Sequence, residues 1–322
     1  MPSVLTNNQI DHYALGKLVA TGNTASTYRG TDLRTGCQVA IKIPHGEFES
    51  DPLFCQRFSR EQEIGDALDH PSVVNFIMDE TRSKVYLVTE WVEGQSLRQI
   101  LNEQGKLPPE RALAIALNIC EALEYIHNKR VIHRDLKPEN IMVDAGDRIK
   151  LIDFGIAGEA DAQRVAIGKL SSVLGTPEYI SPEQVKGEPG DARSDIYAVG
   201  VMLYEMLTGI TPFSGDNTLI VMNNRLINQP TPPRAVDPGI SEQLQEILYR
   251  ALEREPRNRY AKAHEFMWDL QHQDRVGIAD RPGLRNWYRQ RTPWFRAVLL
   301  YGWLTLIPLF VIALLLYVAR HG

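Results

Sequence analysis

The rhythm of apolar and polar positions changes several times along this chain, and each change marks an element. Tyr13 to Arg29 predicts two strands joined by a turn of small residues. Val39 to Lys42 is β-branched at two of four positions, which suits a buried strand ending on a lysine. From Asp51 to Leu68 the apolar residues Phe54, Phe58 and Leu68 return at near-helical spacing. Val85 to Val88 reads as a strand and Gly94 as a turn. Pro108 and Pro109 lead into a helix over Glu110 to Asn128, with Leu113, Leu117, Cys120 and Leu123 on one broad face. Ile156 to Gly175 has few large apolar residues and no period, the pattern of a loop. Asp195 to Leu207 is apolar almost all round, so it belongs at the centre of a larger body. The proline-rich residues 228–239 read as a surface loop, followed by amphipathic helices over Glu242 to Leu252 and Ala263 to Leu270.

The C-terminal pattern is of another kind. Ala297 to Ala319 runs 23 residues without a charge. At about 1.5 Å per residue a helix of that length crosses the ~30 Å hydrocarbon layer of a bilayer with some tilt. Arg281, Arg285, Arg289, Arg291 and Arg296 precede it, and only Arg320, His321 and Gly322 follow. The positive-inside tendency therefore predicts that the long N-terminal part stays in the cytoplasm. Met1 to Asp11 lacks the basic start and apolar run of a signal peptide. The predicted organisation is a polar lead-in (1–12), a folded region (13–271), a basic juxtamembrane linker facing anionic lipid (272–296), a transmembrane helix (297–319) and a short tail (320–322).

A chain of 322 residues can bury a sizeable core, and a formal net charge of −5 argues against a nucleic-acid partner. Cys37, Cys55 and Cys120 show no CxxC spacing, so neither a zinc site nor a disulfide framework is expected. They read as three half-buried structural thiols in a reducing compartment.

Polar chemistry is concentrated in His133 to Asn140, HRDLKPEN, between apolar runs that suggest a loop held between a helix and a strand. Asp153, Phe154 and Gly155 follow thirteen residues after Asn140, and Lys42 ends the VAIK stretch ninety-three residues before Asp135. The order VAIK, HRDLKPEN, DFG and then GTPEYISPEQ resembles the eukaryotic-like Ser/Thr protein kinase family, its bacterial members above all, over roughly Tyr13 to Leu270.

This resemblance implies an α+β, two-lobed protein kinase fold. A small β-rich lobe would span about 13–90 and a larger helical lobe about 93–271, with the transmembrane helix appended. It implies ATP with Mg²⁺, or alternatively Mn²⁺, as cofactors. Asp135 would be the base that orients the acceptor hydroxyl, and Lys137 would place positive charge beside the transferring phosphoryl group. Asn140 and Asp153 would hold the metal through oxygen. Lys42 would pair with Glu61 and with the α and β phosphates. In the hinge from Thr89 to Val92, the backbone of Glu90 and Val92 would meet the adenine edge, while Val19 and Ala40 cover its faces.

The glycine-rich loop of the family is eroded here, because Ala20, Gly22 and Ala25 stand at its three glycine positions. Gly22 is read as the remaining phosphate contact. Lys137 points to Ser/Thr acceptors, with Thr176 bridging to the Asp135–Lys137 pair. Asp195 would cap the backbone of the catalytic loop, and Arg259 would pair with Glu183 as a structural ion pair. His133 would pack against the loop and hydrogen-bond it, and Tyr179 would pack. Ser171 and Ser172 are candidate regulatory phosphosites, with Arg134 the receiver of the phosphate.

The function this implies is phosphoryl transfer from ATP to Ser or Thr of protein substrates, with autophosphorylation of the activation loop. The alternative is a membrane-tethered pseudokinase scaffold, which the eroded loop favours and the intact Lys42, Glu61, Asp135, Asn140 and Asp153 oppose. The expected partners are protein substrates and the membrane, with a homodimer left open.

Overall fold

The computed structural model describes residues 8–48, 51–79, 82–154 and 177–281. Ser171, Ser172, Thr176, the loop 156–175 and the apolar run 297–319 lie outside the described residues. Among the described residues no helix is long and apolar enough to cross a membrane. The chain divides into two units, Met1–Ile278 and Ala279–Gly322, and both lobes belong to the first.

The smaller lobe is a five-stranded antiparallel sheet in the order β1 (Gln9–Ile10), β2 (Tyr13–Thr21), β3 (Ala25–Asp32), β4 (Gln38–Pro44) and β5 (Leu87–Glu90), with helix α1 (Pro52–Asp66) inserted before β5. Alternation along β4 sends Val39, Ile41 and Ile43 into a core with Ile10, Tyr13, Leu15, Tyr86 and Val88. It turns Ala40 and Lys42 to the opposite face. Lys42 is therefore interior to its strand, since main-chain pairing continues to Pro44. Thr89 and Glu90 still pair with β4, and the Trp91 N–H donates to the Gln38 carbonyl of β4 at 3.3 Å, so the chain leaves the sheet only after Trp91.

The larger lobe is built around α5 (Ala192–Thr208), in which every residue from Ser194 to Thr208 is buried. Asp191 and Ser194 form its capping box, and Gly209 ends it in the left-handed conformation. A helix apolar all round must be surrounded, and α3 (Pro109–Asn128), α8 (Glu242–Ala251) and α9 (Ala263–Gln271) all contact it. On α3 the buried stripe runs through Ala112, Ile115, Ala116, Ile119 and Ile126, with Cys120 and Leu123, while Leu113 and Leu117 are only partly buried. The helix faces neighbours on two sides, which a single-face reading understates.

Four short helices complete the lobe: α2 (Leu97–Gln104), α4 (Pro182–Val185), α6 (Thr218–Ile227) and α7 (Pro233–Val236). The proline-rich segment thus contains α7 and buries Pro233, because proline suits the first turn of a helix as well as a loop. The thiols also differ from expectation. Cys37 is exposed, Cys55 intermediate and Cys120 fully buried. Burial pushes the Cys120 thiol up to about 12, which makes it inert.

A second, three-stranded antiparallel sheet joins β6 (Gln95–Ser96), β7 (Ile141–Val143) and β8 (Ile149–Leu151) at the junction of the lobes. Gly94 lets the chain enter it. At φ +139 it lies so close to β7 that a Cβ there would meet the Val143 carbonyl oxygen at 2.3 Å. In α1, Gly65 lies one turn beyond Glu61, and a Cβ there would stand 2.1 to 2.4 Å from the ring of Phe76. That ring in turn packs on Phe154, with centroids 6.5 Å apart.

Gly65→Ala must push α1 and Phe76 apart. Overpacking of this kind costs about 1–3 kcal/mol, to be read from the midpoint of a denaturant titration. An unchanged midpoint would mean that Phe76 swings clear.

Candidate active site

The β7–β8 hairpin brings two segments distant in sequence to one point. Ile141 pairs with Leu151, so Asn140 and Ile152 leave the hairpin side by side, and the Ile152 N–H donates to the Asn140 carbonyl at 3.1 Å. Asp153 follows at once. The turn between the strands is closed by Asp144, whose Oδ1 accepts from the N–H groups of Gly146 and Arg148 at 2.8 and 3.0 Å. Asn140 is 5% exposed, and its Nδ2 donates to the Asp135 carbonyl at 2.9 Å. That bond spends the amide donor on the loop and leaves Oδ1 as an acceptor. An amide oxygen and a carboxylate brought to one end of a hairpin are the hard donors a divalent cation takes, so the pair fits Mg²⁺ or Mn²⁺.

Across from them, Lys42 Nζ donates to both carboxylate oxygens of Glu61, at 2.9 and 3.0 Å, and to Asp153 Oδ1 at 3.1 Å. One ammonium thus stands between two carboxylates. Burial works against its charge, but Asp153 and Glu61 together outweigh burial and hold Lys42 well above the usual lysine range. Two carboxylates share this cation, and the deeper gives way. Glu61 is 5% exposed, and its burial pushes it up to about 7, with Lys42 pulling down and Asp153 adding to the rise.

The catalytic loop is held from below. The Asp195 carboxylate accepts from the backbone N–H groups of His133 and Arg134 at 2.9 and 2.8 Å, and from the His127 ring at 2.8 Å. Gln184 donates to the Arg134 carbonyl at 2.9 Å. These anchors keep Arg134 at φ +65, a conformation that side chains other than glycine rarely adopt. The turn aims Asp135 and Lys137 together, with Lys137 Nζ 2.6 Å from Asp135 Oδ2. Burial opposes the Lys137 charge, but Asp135 raises its pKa.

His133 differs from expectation. It is fully buried against Phe154, with ring centroids 5.2 Å apart, yet neither ring nitrogen has a partner among the described residues. It packs without hydrogen-bonding the loop through its ring, and burial lowers its pKa, which keeps it neutral.

Of the remaining candidates, Arg259 meets Glu183 in a bidentate pair at 2.7 and 2.6 Å, and Ser194 also donates to Glu183 at 2.6 Å. Gly22 is used as a turn residue: its N–H donates to the Ala25 carbonyl at 2.9 Å, so that donor is spent inside the β2–β3 hairpin. Val19 and Ala20 are exposed on β2, and Ala20 pairs with Thr27. Ala40 and Val92 are half-buried. Thr176, Ser171 and Ser172 lie outside the described residues.

Three groups escape sequence inspection. Arg98 of α2 donates to Glu139 of the catalytic loop at 3.1 Å, to Glu205 of α5 at 2.9 Å, and to the Tyr179 hydroxyl. Tyr179 also donates to Glu205, so it does more than pack. Arg225 of α6 is 1% exposed and donates to the carbonyls of Ile180 and Glu178 at 2.6 and 2.5 Å. Lys150 of β8 reaches Glu90 at 2.5 Å. Each joins segments remote in sequence, and nothing in the local pattern marks it.

The two lobes, the shared lysine and the hairpin that brings Asn140 and Asp153 to one end define a protein kinase. The chain belongs to the protein kinase domain family, which matches residues 13–270. It is 39% identical over 266 residues to the serine/threonine-protein kinase PknB of Mycobacterium leprae, covering 81% of this chain and 42% of that protein. It is 38% identical over 265 residues to the probable serine/threonine-protein kinase SCO3848 of Streptomyces coelicolor, covering 80% of this chain and 39% of that one. The chain therefore spans less than half the length of these curated relatives. The crystal structure of the Mycobacterium tuberculosis PknI kinase domain, C20A mutant, shares the fold with a TM-score of 0.65 at 23% identity, over 84% of this chain and 99% of that one.

Titration of Glu61 yields a prediction with two opposed signs. Its value in the folded state lies above its ordinary 4.5, so its contribution to stability is full below about 4.5 and is lost as pH rises toward about 7. The ion pair with Lys42 behaves oppositely, since the carboxylate is neutralised as pH falls through about 7. Affinity for Mg²⁺·ATP should therefore weaken on the acid side of neutrality, by calorimetry across pH 5.5–8.5, and Glu61→Gln should remain near the low-pH level throughout. A flat profile in the wild type would remove this role for Glu61.

Proposed function

We propose that this chain is a Ser/Thr protein kinase that transfers the γ-phosphoryl group of ATP to serine or threonine hydroxyls of proteins, and to its own activation loop. The observation that carries the proposal is Lys42 held at bonding distance from both Glu61 and Asp153. That contact joins the sheet of the small lobe to the metal-binding end of the hairpin. A scaffold needs no such junction, and against the eroded glycine loop, which alone speaks for the pseudokinase alternative, stand the intact Lys42, Glu61, Asp135, Asn140 and Asp153.

Phosphoryl transfer is a problem of positioning, with charge to be stabilised on the oxygens around phosphorus. Lys42 would hold the α and β phosphates, and the backbone of Glu90 and Val92 the adenine edge, under Val19 and Ala40. Asn140 and Asp153 would hold the Mg²⁺ or Mn²⁺ ion, which when bound neutralises the phosphate oxygens. Asp135 would accept the hydrogen bond of the incoming hydroxyl. The hydroxyl oxygen of the acceptor would form the new bond to the γ-phosphorus as the bond from that phosphorus to the β,γ-bridging oxygen breaks; ADP would leave with that electron pair, and Asp135 would take the hydroxyl proton. Lys137, 2.6 Å from Asp135, would put its charge beside the moving phosphoryl oxygens.

Regulation would pass through Arg134. Its Nε and Nη1 are buried and have no partner among the described residues, and they adjoin a backbone held by Asp195 and Gln184. A phosphate on Ser171 or Ser172 supplies oxygens that such a guanidinium takes. Thr176 would bridge Asp135 and Lys137.

The proposed setting is a bacterial inner membrane, with the kinase domain in the cytoplasm and the chain anchored by Ala297 to Ala319. The support is in the sequence, where 23 uncharged residues follow five arginines.

Incubated with labelled ATP, Mg²⁺ and a generic protein acceptor, the purified chain should transfer label, and Asp135→Asn should lower the rate by about 10²–10⁴-fold. Equal labelling by both proteins would sink the proposal. The chain should also stay with membranes through an alkaline carbonate wash, whereas release by salt alone would leave only a peripheral, electrostatic attachment.

A further inference from the structure

Glu90 is the last residue of β5, where the chain leaves the small lobe. Its N–H donates to the Asn75 carbonyl at 2.9 Å, and its Oε1 accepts from the Asn75 N–H at 2.9 Å and from Lys150 Nζ at 2.5 Å. Lys150 also donates to the Val73 carbonyl at 3.2 Å. Its neighbours Ile149 and Leu151 face the core, so alternation turns Lys150 to the other face of β8, toward the hinge. Only 23% of the Lys150 side chain is exposed, which is unlike a solvated surface lysine.

The position of Lys150 matters more than the strength of its ion pair. Its strand is three residues long and is fixed on both edges. Leu151 exchanges backbone hydrogen bonds of 2.9 Å with Ser72 and Val74, and Ile152 is tied to Asn140. Asp153 lies three residues beyond Lys150. On the opposite side, the side chains of the hinge are tied to the small lobe, with the Arg29 guanidinium 4.6 Å from the Trp91 ring and 3.2 Å from Glu93. Lys150 thus fastens Glu90 to the strand that leads into Asp153.

We infer that Lys150 is a positioning residue, which by clamping Glu90 sets the distance between the adenine-binding hinge and the metal-binding pair Asn140 and Asp153. The inference rests on the kinase proposal above. ATP spans both ends, so a fixed separation lets the adenine and the Mg²⁺-bound phosphates be engaged together without a further ordering cost. Adenosine engages the hinge alone. The signature of the clamp is therefore a coupling between the two halves of one ligand, which general loosening of the fold would not produce.

The test compares two ligands on the full chain in detergent by calorimetry: adenosine, and a non-hydrolysable ATP analogue with Mg²⁺. Lys150→Met should bind adenosine within about twofold of the wild type but the Mg²⁺·nucleotide about tenfold more weakly. KM for ATP should rise in parallel while kcat changes by less than about threefold. Lys150→Arg, which keeps the charge, should restore most of the loss. Glu90→Gln, which keeps an acceptor for both donors, should show a smaller loss in the same direction, and it serves as the second variant if Lys150→Met does not fold. Equal weakening of both ligands, or of neither, would overturn the inference. A wild-type chain that takes up no Mg²⁺·nucleotide would instead overturn the kinase proposal on which it rests.

Discussion

One ammonium group between two carboxylates is the constraint that organises the structure. Lys42 comes from the sheet of the small lobe, Glu61 from the helix inserted into it, and Asp153 from the hairpin at the head of the large lobe. Charge neutrality is incomplete there, since two anionic groups face one cation. The strain is relieved at Glu61, where burial drives the carboxyl toward its neutral form. The arrangement gives up stability near neutral pH, the kind of local conflict that marks functional sites.

The packing around it is devoted to holding distances. The fully buried α5 offers the Asp195 carboxylate to the catalytic loop, Glu205 to Arg98, and Ser194 to the Glu183–Arg259 pair. A helix without a solvent face is a rigid platform, and its Asp195, Ser194 and Glu205 find their partners in the segments they fix. The left-handed Arg134 shows how firmly: two backbone donors and one backbone acceptor hold the loop in a turn its residue type disfavours.

Several departures from the sequence-based expectations have one origin. The proline-rich residues 228–239 looked like a surface loop, but in the structure they contain α7, which packs on α5 and α8. Lys42 seemed to end a strand, yet pairing with β3 carries the strand on to Pro44. The ring of His133 offered hydrogen bonds, but the space beside it is filled by Phe154. In each case the neighbour that decides comes from a segment that the local pattern does not contain.

The order and spacing of Lys42, Asp135, Asn140 and Asp153, and the nearly continuous apolar run of α5, were legible in the residues themselves. Such features are local: a motif needs its residues consecutive, and a central helix needs only to be apolar on every side. The strand register that sets Asn140 beside Ile152, the ion pair of Lys150 with Glu90, and the partners of the half-buried Arg98 and the buried Arg225 became visible only in three dimensions. Each pairs groups remote from one another along the chain, and a lone charged side chain in a sequence reads as solvated until the fold supplies the partner that justifies burying it.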